Sequence, residues 1–112
     1  MSDSAELPPG RVAELLRETD AQLVDVRTPE EHEAGRISGD VHIELEELSA
    51  EAESLARGRP VVMYCRSGAR SAMATGAFRQ AGFDAYNLDG GLLAWVASGQ
   101  PIEPHDGRVA AH

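Results

Sequence analysis

The chain has 112 residues, which gives room for one hydrophobic core and not two, so it is read as a single domain over residues 1–112. Its 19 acidic residues outnumber 10 basic ones, all of them arginine, for a formal net charge of −9. Such a surface argues against nucleic-acid and anionic-membrane partners, the lack of lysine excludes Schiff-base chemistry, and a lone cysteine excludes an intrachain disulfide.

The opening stretch MSDSAELPPG has neither a basic nor an apolar leader region, so no secretory signal is expected. No apolar run approaches the roughly 20 residues that span a bilayer. With one cysteine, these features point to a reduced, cytoplasmic setting. A first helix should follow Pro8-Pro9-Gly10, with Val12, Leu15 and Leu16 on one face. Gln22–Val26 reads as a strand, with Asp25 and Arg27 bringing charge to its carboxyl end. Thr28 as N-cap, Pro29 at the first helical position and Glu31 completing a capping box start a short helix that should stop at Gly35. Val41-His42-Ile43 is a short strand leading into a helix over Glu44–Arg57, striped by Leu45, Leu48 and Leu55. That helix carries Glu44, Glu46, Glu47, Glu51 and Glu53, a solvated face by default and a docking surface for a basic partner as the alternative.

The remaining elements are organised around Pro60–Thr75. Val61-Val62-Met63-Tyr64 is a continuous apolar run, the pattern of a parallel strand buried on both faces. It ends in Cys65, followed by the loop Arg66–Arg70 and a small, alanine-rich helix Ser71–Ala81 of the kind that packs closely on a sheet, ended by Gly82. Phe83–Leu88 supplies another strand, Gly90-Gly91 a tight turn near the Cys65 loop, and Leu92, Leu93, Trp95 and Val96 a final amphipathic helix with Trp95 as core anchor. From Ser98 the composition turns loop-like, and residues 104–112 are expected as a flexible tail, frayed from Arg108. His105 and His112 show no metal-ligand spacing, and with one cysteine no metal site or cofactor is expected.

Ligands of open α/β sheets sit at the carboxyl ends of the strands, where Cys65 falls. A helix start there offers unpaired amides and the positive end of a dipole, and Arg66 and Arg70 add two cations beside the sulfur. Each favours thiolate over thiol. The competing reading is a small apolar residue packed at a strand end; two arginines and Gly68 within five residues weigh against it.

Cys65-Arg66-Ser67-Gly68-Ala69-Arg70-Ser71 resembles the active-site loop of the rhodanese family, in the C-R-x-G-x-R-S form of its single-domain, thiosulfate sulfurtransferase-like members. Leu23-Val24-Asp25-Val26-Arg27-Thr28-Pro29-Glu30-Glu31-His32 and Gly35–Gly39 are similar to two further segments of that family, as are Leu88-Asp89-Gly90-Gly91 and Ala94-Trp95. The resemblance covers a core of about Leu7 to Glu103. Arg36 stands where relatives often carry histidine, Ser38 where they carry proline, and His32 where they carry tyrosine, which assigns His32 to packing. The resemblance implies an α/β three-layer fold with a mostly parallel sheet of about five strands flanked by helices on both faces. It also implies a structural Asp25–Arg27 pair, Cys65 as the catalytic nucleophile, and Arg66, Ser67, Gly68, Ala69, Arg70 and Ser71 as the substrate-binding loop.

Loop length bears on the reaction. Cysteine-dependent tyrosine phosphatases place one residue more between cysteine and arginine than the four here, Arg66 to Ala69. The shorter ring of amides suits the terminal sulfur of a persulfide better than a phosphoryl group. The expected activity is therefore sulfur transfer by double displacement: Cys65 takes a sulfane sulfur from thiosulfate or a similar donor, and a thiophilic acceptor removes it. With no second cysteine, that acceptor is external: cyanide in an assay, glutathione, another small thiol or a protein thiol in the cell. Two alternatives stay open, a non-catalytic or protein-to-protein sulfur-relay module and, behind it, a phosphatase or arsenate reductase. A monomer or weak homodimer is expected.

Overall fold

The computed structural model describes residues 4–111. Met1–Asp3, where the leader was sought, and His112, the end of the expected tail, lie outside the described residues. In chain order the elements are β1 (Glu6–Leu7), α1 (Pro9–Glu18), β2 (Gln22–Asp25), α2 (Pro29–Ala34), β3 (Val41–His42), α3 (Leu48–Glu51), β4 (Val61–Tyr64), α4 (Ala69–Gln80), β5 (Ala85–Leu88) and α5 (Gly91–Ala97). The strands form one parallel sheet ordered β1-β5-β4-β2-β3, with β4 at its centre.

Alternation along β4 builds two core layers. Val61, Met63 and Cys65 face one side, where Ala74 and Phe78 of α4 cover them together with Leu48 and Leu55. Val62 and Tyr64 face the other, against Val12 and Leu15 of α1 and Leu92 and Trp95 of α5. All four residues of β4 are fully buried, as the unbroken apolar run requires, and Trp95 is the anchor its position promised. Helices on both faces of a five-stranded sheet are the expected three-layer α/β arrangement.

Several elements differ from expectation. β1 carries too short a pattern to announce itself; it adds to the sheet edge through Glu6 opposite Asn87 and Leu7 opposite Leu88. The acidic segment is not one helix over Glu44–Arg57 but a 3₁₀ turn (Leu45–Glu47), the single turn α3 and a second 3₁₀ turn (Ala52–Ser54). Like charges one turn apart, Glu47 and Glu51, disfavour a continuous helix. The Ser54 hydroxyl donates to the Glu51 carbonyl at 2.7 Å and supports the tighter turn. Leu48 and Leu55 still reach the core.

Helix α4 begins at Ala69, two residues before Ser71, because Gly68 takes a left-handed φ of 98° that turns the chain straight into the helix. Its contact with the sheet is made by Ser71, Ala74, Thr75 and Phe78, while Ala69, Met73, Gly76 and Ala77 face outward, so the alanine content is not a close-packing signal. In α5, Leu92 and Trp95 point inward and Leu93 and Val96 are exposed. The expected tail is tied down for much of its length: the Arg108 amide donates to the Ala34 carbonyl at 2.9 Å and Val109 packs on the second core layer. Gly35 permits this approach, since a Cβ there would strike the Arg108 carbonyl. No helix among the described residues is long and apolar enough to cross a membrane.

Candidate active site

Cys65 lies immediately past the carboxyl end of the central strand and is 1% exposed. The chain then closes a cradle about its sulfur. The Gly68 amide donates to Cys65 Sγ at 3.1 Å, and the Ser71 hydroxyl reaches it at 3.4 Å. Burial pushes the thiol up, but hydrogen bonds from the Ser71 hydroxyl and from the amides of Ser71, Gly68 and Arg70 outweigh it and bring the thiol below its ordinary value. Of the loop residues, Gly68, Arg70 and Ser71 thus act on the sulfur. Ser67 and Ala69 complete the turn through their backbone, and Arg66 flanks Cys65.

The Gly90-Gly91 pair closes the cradle from behind. Gly91, at φ 64°, lets the Leu92 amide donate to the Cys65 carbonyl (2.9 Å) and the Leu93 amide to the Arg66 carbonyl (3.1 Å). A Cβ at Gly91 would fall 2.5 Å from the Arg66 carbonyl oxygen, so the approach requires glycine. The expected nearness of the Gly90-Gly91 turn to the reactive loop is a direct backbone contact.

The two arginines are not equivalent. Arg70 directs Nη1 and Nη2 to the two carboxylate oxygens of Glu31, at 3.1 and 3.0 Å. Burial pushes Glu31 up, yet the Arg70 guanidinium and the Thr28 amide and hydroxyl hold it below the usual carboxylate range. The Thr28–Glu31 capping box forms as expected, so one carboxylate both starts α2 and grips the loop. Arg66 has no ion-pair partner among the described residues, and its Nε is buried without a hydrogen bond.

Asp25 and Arg27 form a fully buried bidentate pair, Nε to Oδ1 and Nη2 to Oδ2, both 2.8 Å. Arg27 Nη2 also donates to the Gly35 carbonyl at 2.6 Å, tying the end of β2 to the end of α2. Neither residue touches the sulfur, which accords with a structural task. His32 does more than pack. Its Nδ1 donates to Asp25 Oδ2 at 2.8 Å, and its ring stacks on His42 at 4.4 Å; His42 Nε2 in turn donates to the Arg27 carbonyl at 2.7 Å. Tyr64 donates to Asp40 at 2.6 Å and accepts from the Ile37 amide at 3.0 Å. Asp25, His32 and Asp40 bring three ligand-type atoms within 4.8 Å of one another. Each of those atoms already has a hydrogen-bond partner and Arg27 supplies the positive charge, so the group reads as a hydrogen-bond network and not a cation site.

Asn87 escaped the sequence reading. Buried on β5, it donates from Nδ2 both to the Gly68 carbonyl (3.1 Å) and to Glu6 Oε1 (2.9 Å). Two acceptors on one side fix the amide orientation, leave Oδ1 without a partner, and anchor Gly68, whose own amide donates to the sulfur. A cleft of about 360 Å³ opens elsewhere, lined by Leu23, Val41, Leu55 and Arg59 among others; none of residues 65–71 lines it.

Comparison with known proteins accords with this geometry. Residues 8–98 match the Rhodanese-like domain family. The chain belongs to the rhodanese family. Thiosulfate sulfurtransferase GlpE of Pseudomonas aeruginosa is 38% identical over 96 residues, covering 85% of this rhodanese chain and 87% of that protein. An HTH-type transcriptional regulator of Mycobacterium tuberculosis is 42% identical over 106 residues, covering 89% of this chain, which spans only 46% of the regulator. Among solved structures, a rhodanese-related protein of Thermoplasma volcanium superposes with a TM-score of 0.81 at 27% identity, covering 87% of this chain and 95% of that one.

Proposed function

We propose that this rhodanese domain is a cytoplasmic sulfurtransferase that carries sulfane sulfur as a persulfide on Cys65. The observation that carries the proposal is the cradle. The buried Cys65 sulfur, in the turn into α4, receives the Gly68 amide at 3.1 Å and the Ser71 hydroxyl at 3.4 Å, donors that favour the thiolate the reaction needs. The Cys65 thiolate attacks the outer sulfur of thiosulfate or a similar donor. The S–S bond of the donor breaks, sulfite leaves with the electron pair, and Cys65–S–S⁻ remains. A thiol or cyanide then takes the outer sulfur and regenerates the thiolate. Arg66, which has no carboxylate partner among the described residues, supplies positive charge where charge moves from attacking to departing sulfur, Arg70 is held at the loop by Glu31, and the amides of the loop stabilise the perthiolate. The name of the Pseudomonas relative supports the same reaction.

Intact mass after incubation with thiosulfate, beside a Cys65→Ser control, tests this. A gain of one sulfur atom, about 32 Da, that is absent in the control and released as thiocyanate by cyanide is expected. Loading from mercaptopyruvate or glutathione persulfide alone would retain sulfur transfer with another donor. No loading from any of these, on folded protein with a free thiol, would refute it.

A second reading, a sulfur-relay or regulatory module, is favoured by one observation: the matched segment is about half of a transcriptional regulator. Under that reading a protein persulfide would load Cys65 faster than any small donor, and the same mass measurement decides.

A further inference from the structure

The charge at the cradle is not what its two arginines suggest. Arg70 is held bidentately by Glu31, which is 1% exposed and lies on α2, outside the loop. Of the two loop cations, Arg66 alone is left without a carboxylate partner among the described residues. With Cys65 as thiolate, the charges of Cys65, Arg66, Arg70 and Glu31 cancel, inside a molecule of net charge −9. A cluster that sums to zero attracts neither donor, and the surrounding negative field opposes a dianion about twice as strongly as a monoanion. The Leu93 amide donates a hydrogen bond to the Arg66 carbonyl at 3.1 Å, and Leu93 is 40% exposed.

Building on the sulfur-transfer reading above, we propose that Glu31 sets the charge class of the donor. By neutralising Arg70 it makes Cys65 select a monoanionic organic sulfane-sulfur donor, a thiosulfonate or an organic persulfide, over dianionic thiosulfate. With a thiosulfonate, the Cys65 thiolate attacks the outer sulfur, the S–S bond breaks, and the sulfinate leaves with the electron pair. Cys65–S–S⁻ is the same product as before, and no external oxidant or reductant enters. Glu31 touches neither sulfur nor donor; it is a positioning residue that acts through Arg70.

Methanethiosulfonate and thiosulfate share a sulfonyl-type reacting centre and differ by one charge. The rate of sulfur loading onto Cys65 is measured with each, on wild type and on Glu31→Gln, so that the intrinsic reactivity of each donor cancels in the comparison. The expected result is that Glu31→Gln lowers the methanethiosulfonate-to-thiosulfate ratio of kcat/KM by about tenfold, by improving use of the dianion. An unchanged ratio overturns the proposal. Should Glu31→Gln not fold, the wild type alone decides through unreactive competitive inhibitors: methanesulfonate is expected to bind at least as tightly as sulfate, and sulfate binding about tenfold tighter overturns the proposal. If neither donor loads Cys65, it is the sulfur-transfer reading that fails; loading with the same ratio in both proteins removes only the role given to Glu31.

Discussion

At Cys65 the deciding interactions are short and local. The thiol is buried, which by itself raises its pKa, and the Ser71 hydroxyl is the foremost of the groups that reverse this. Ser71→Ala therefore moves the rising limb of the pH–rate profile for sulfur loading to higher pH. Because a hydrogen bond to a charged group is worth about 1.5–3 kcal/mol, loading at neutral pH should fall by about tenfold while the rate at high pH recovers. A uniform loss at every pH would mean that Ser71 merely packs. Asn87 works at one remove. Asn87→Ala takes from the Gly68 carbonyl one of its two donors, the other being the Ala72 amide, and from Glu6 its Asn87 donor; it costs about 1 kcal/mol in urea unfolding and loosens Gly68, whose own amide holds the sulfur. Stability loss with wild-type loading kinetics would confine Asn87 to a structural part. The Cys65–Ser71 motif could be read directly because its chemistry is contiguous in sequence. Asn87, 19 residues from Gly68, and the grip of Glu31 on Arg70 across 39 residues could not, since only the sheet and α2 bring them together.

Among the elements, the strand–loop–helix unit β4–α4 and the turn before α5 are built by glycines with opposite tolerances. Gly91 combines a left-handed φ with a backbone carbonyl 2.5 Å from any Cβ, so Gly91→Ala should cost about 2 kcal/mol or more and slow sulfur loading by shifting the Arg66 peptide. Gly76 sits in α4 with nothing within 4 Å, and Gly76→Ala should raise stability by about 0.5–1 kcal/mol with loading unchanged. Thermal unfolding of the pair checks both, and equal effects would show that the start of α5 tolerates a Cβ where the Arg66 carbonyl stands. Elements with strong local signals, β4 with its apolar run and α2 with its capping box, were legible at nearly residue resolution. β1 was not, because two residues hold no period and the sheet edge alone makes them a strand. The Glu44–Arg57 segment misled because its leucine spacing is helical while its like charges favour short turns instead.

The fold as a whole holds its carboxyl edge together with charges taken out of water, and this ties its stability to pH. Glu31 is buried against Arg70, with its carboxyl held below the usual range. The folded state therefore releases this proton more readily than the unfolded chain does. Its stabilising contribution is complete above the unfolded carboxylate value, near about 4.3, and is lost as pH falls through the lower folded value. Breaking a buried pair by removing one partner costs about 3–5 kcal/mol, which sets the expected gap between wild type and Glu31→Gln near neutral pH. Below about pH 4 that gap should close, because protonated Glu31 resembles the glutamine that replaces it. The net charge of −9 acts in the other direction over part of the same range, since protonating surface carboxylates relieves self-repulsion in both proteins alike. That common term cancels when the urea-unfolding free energies of the two proteins are subtracted at each pH from 7 to 3. A difference that shrinks with acid identifies the Glu31–Arg70 ion pair as a charge interaction. A difference that stays constant would assign the stabilisation to packing and to the cap of α2, and would weaken the case that Glu31 controls the field at Cys65.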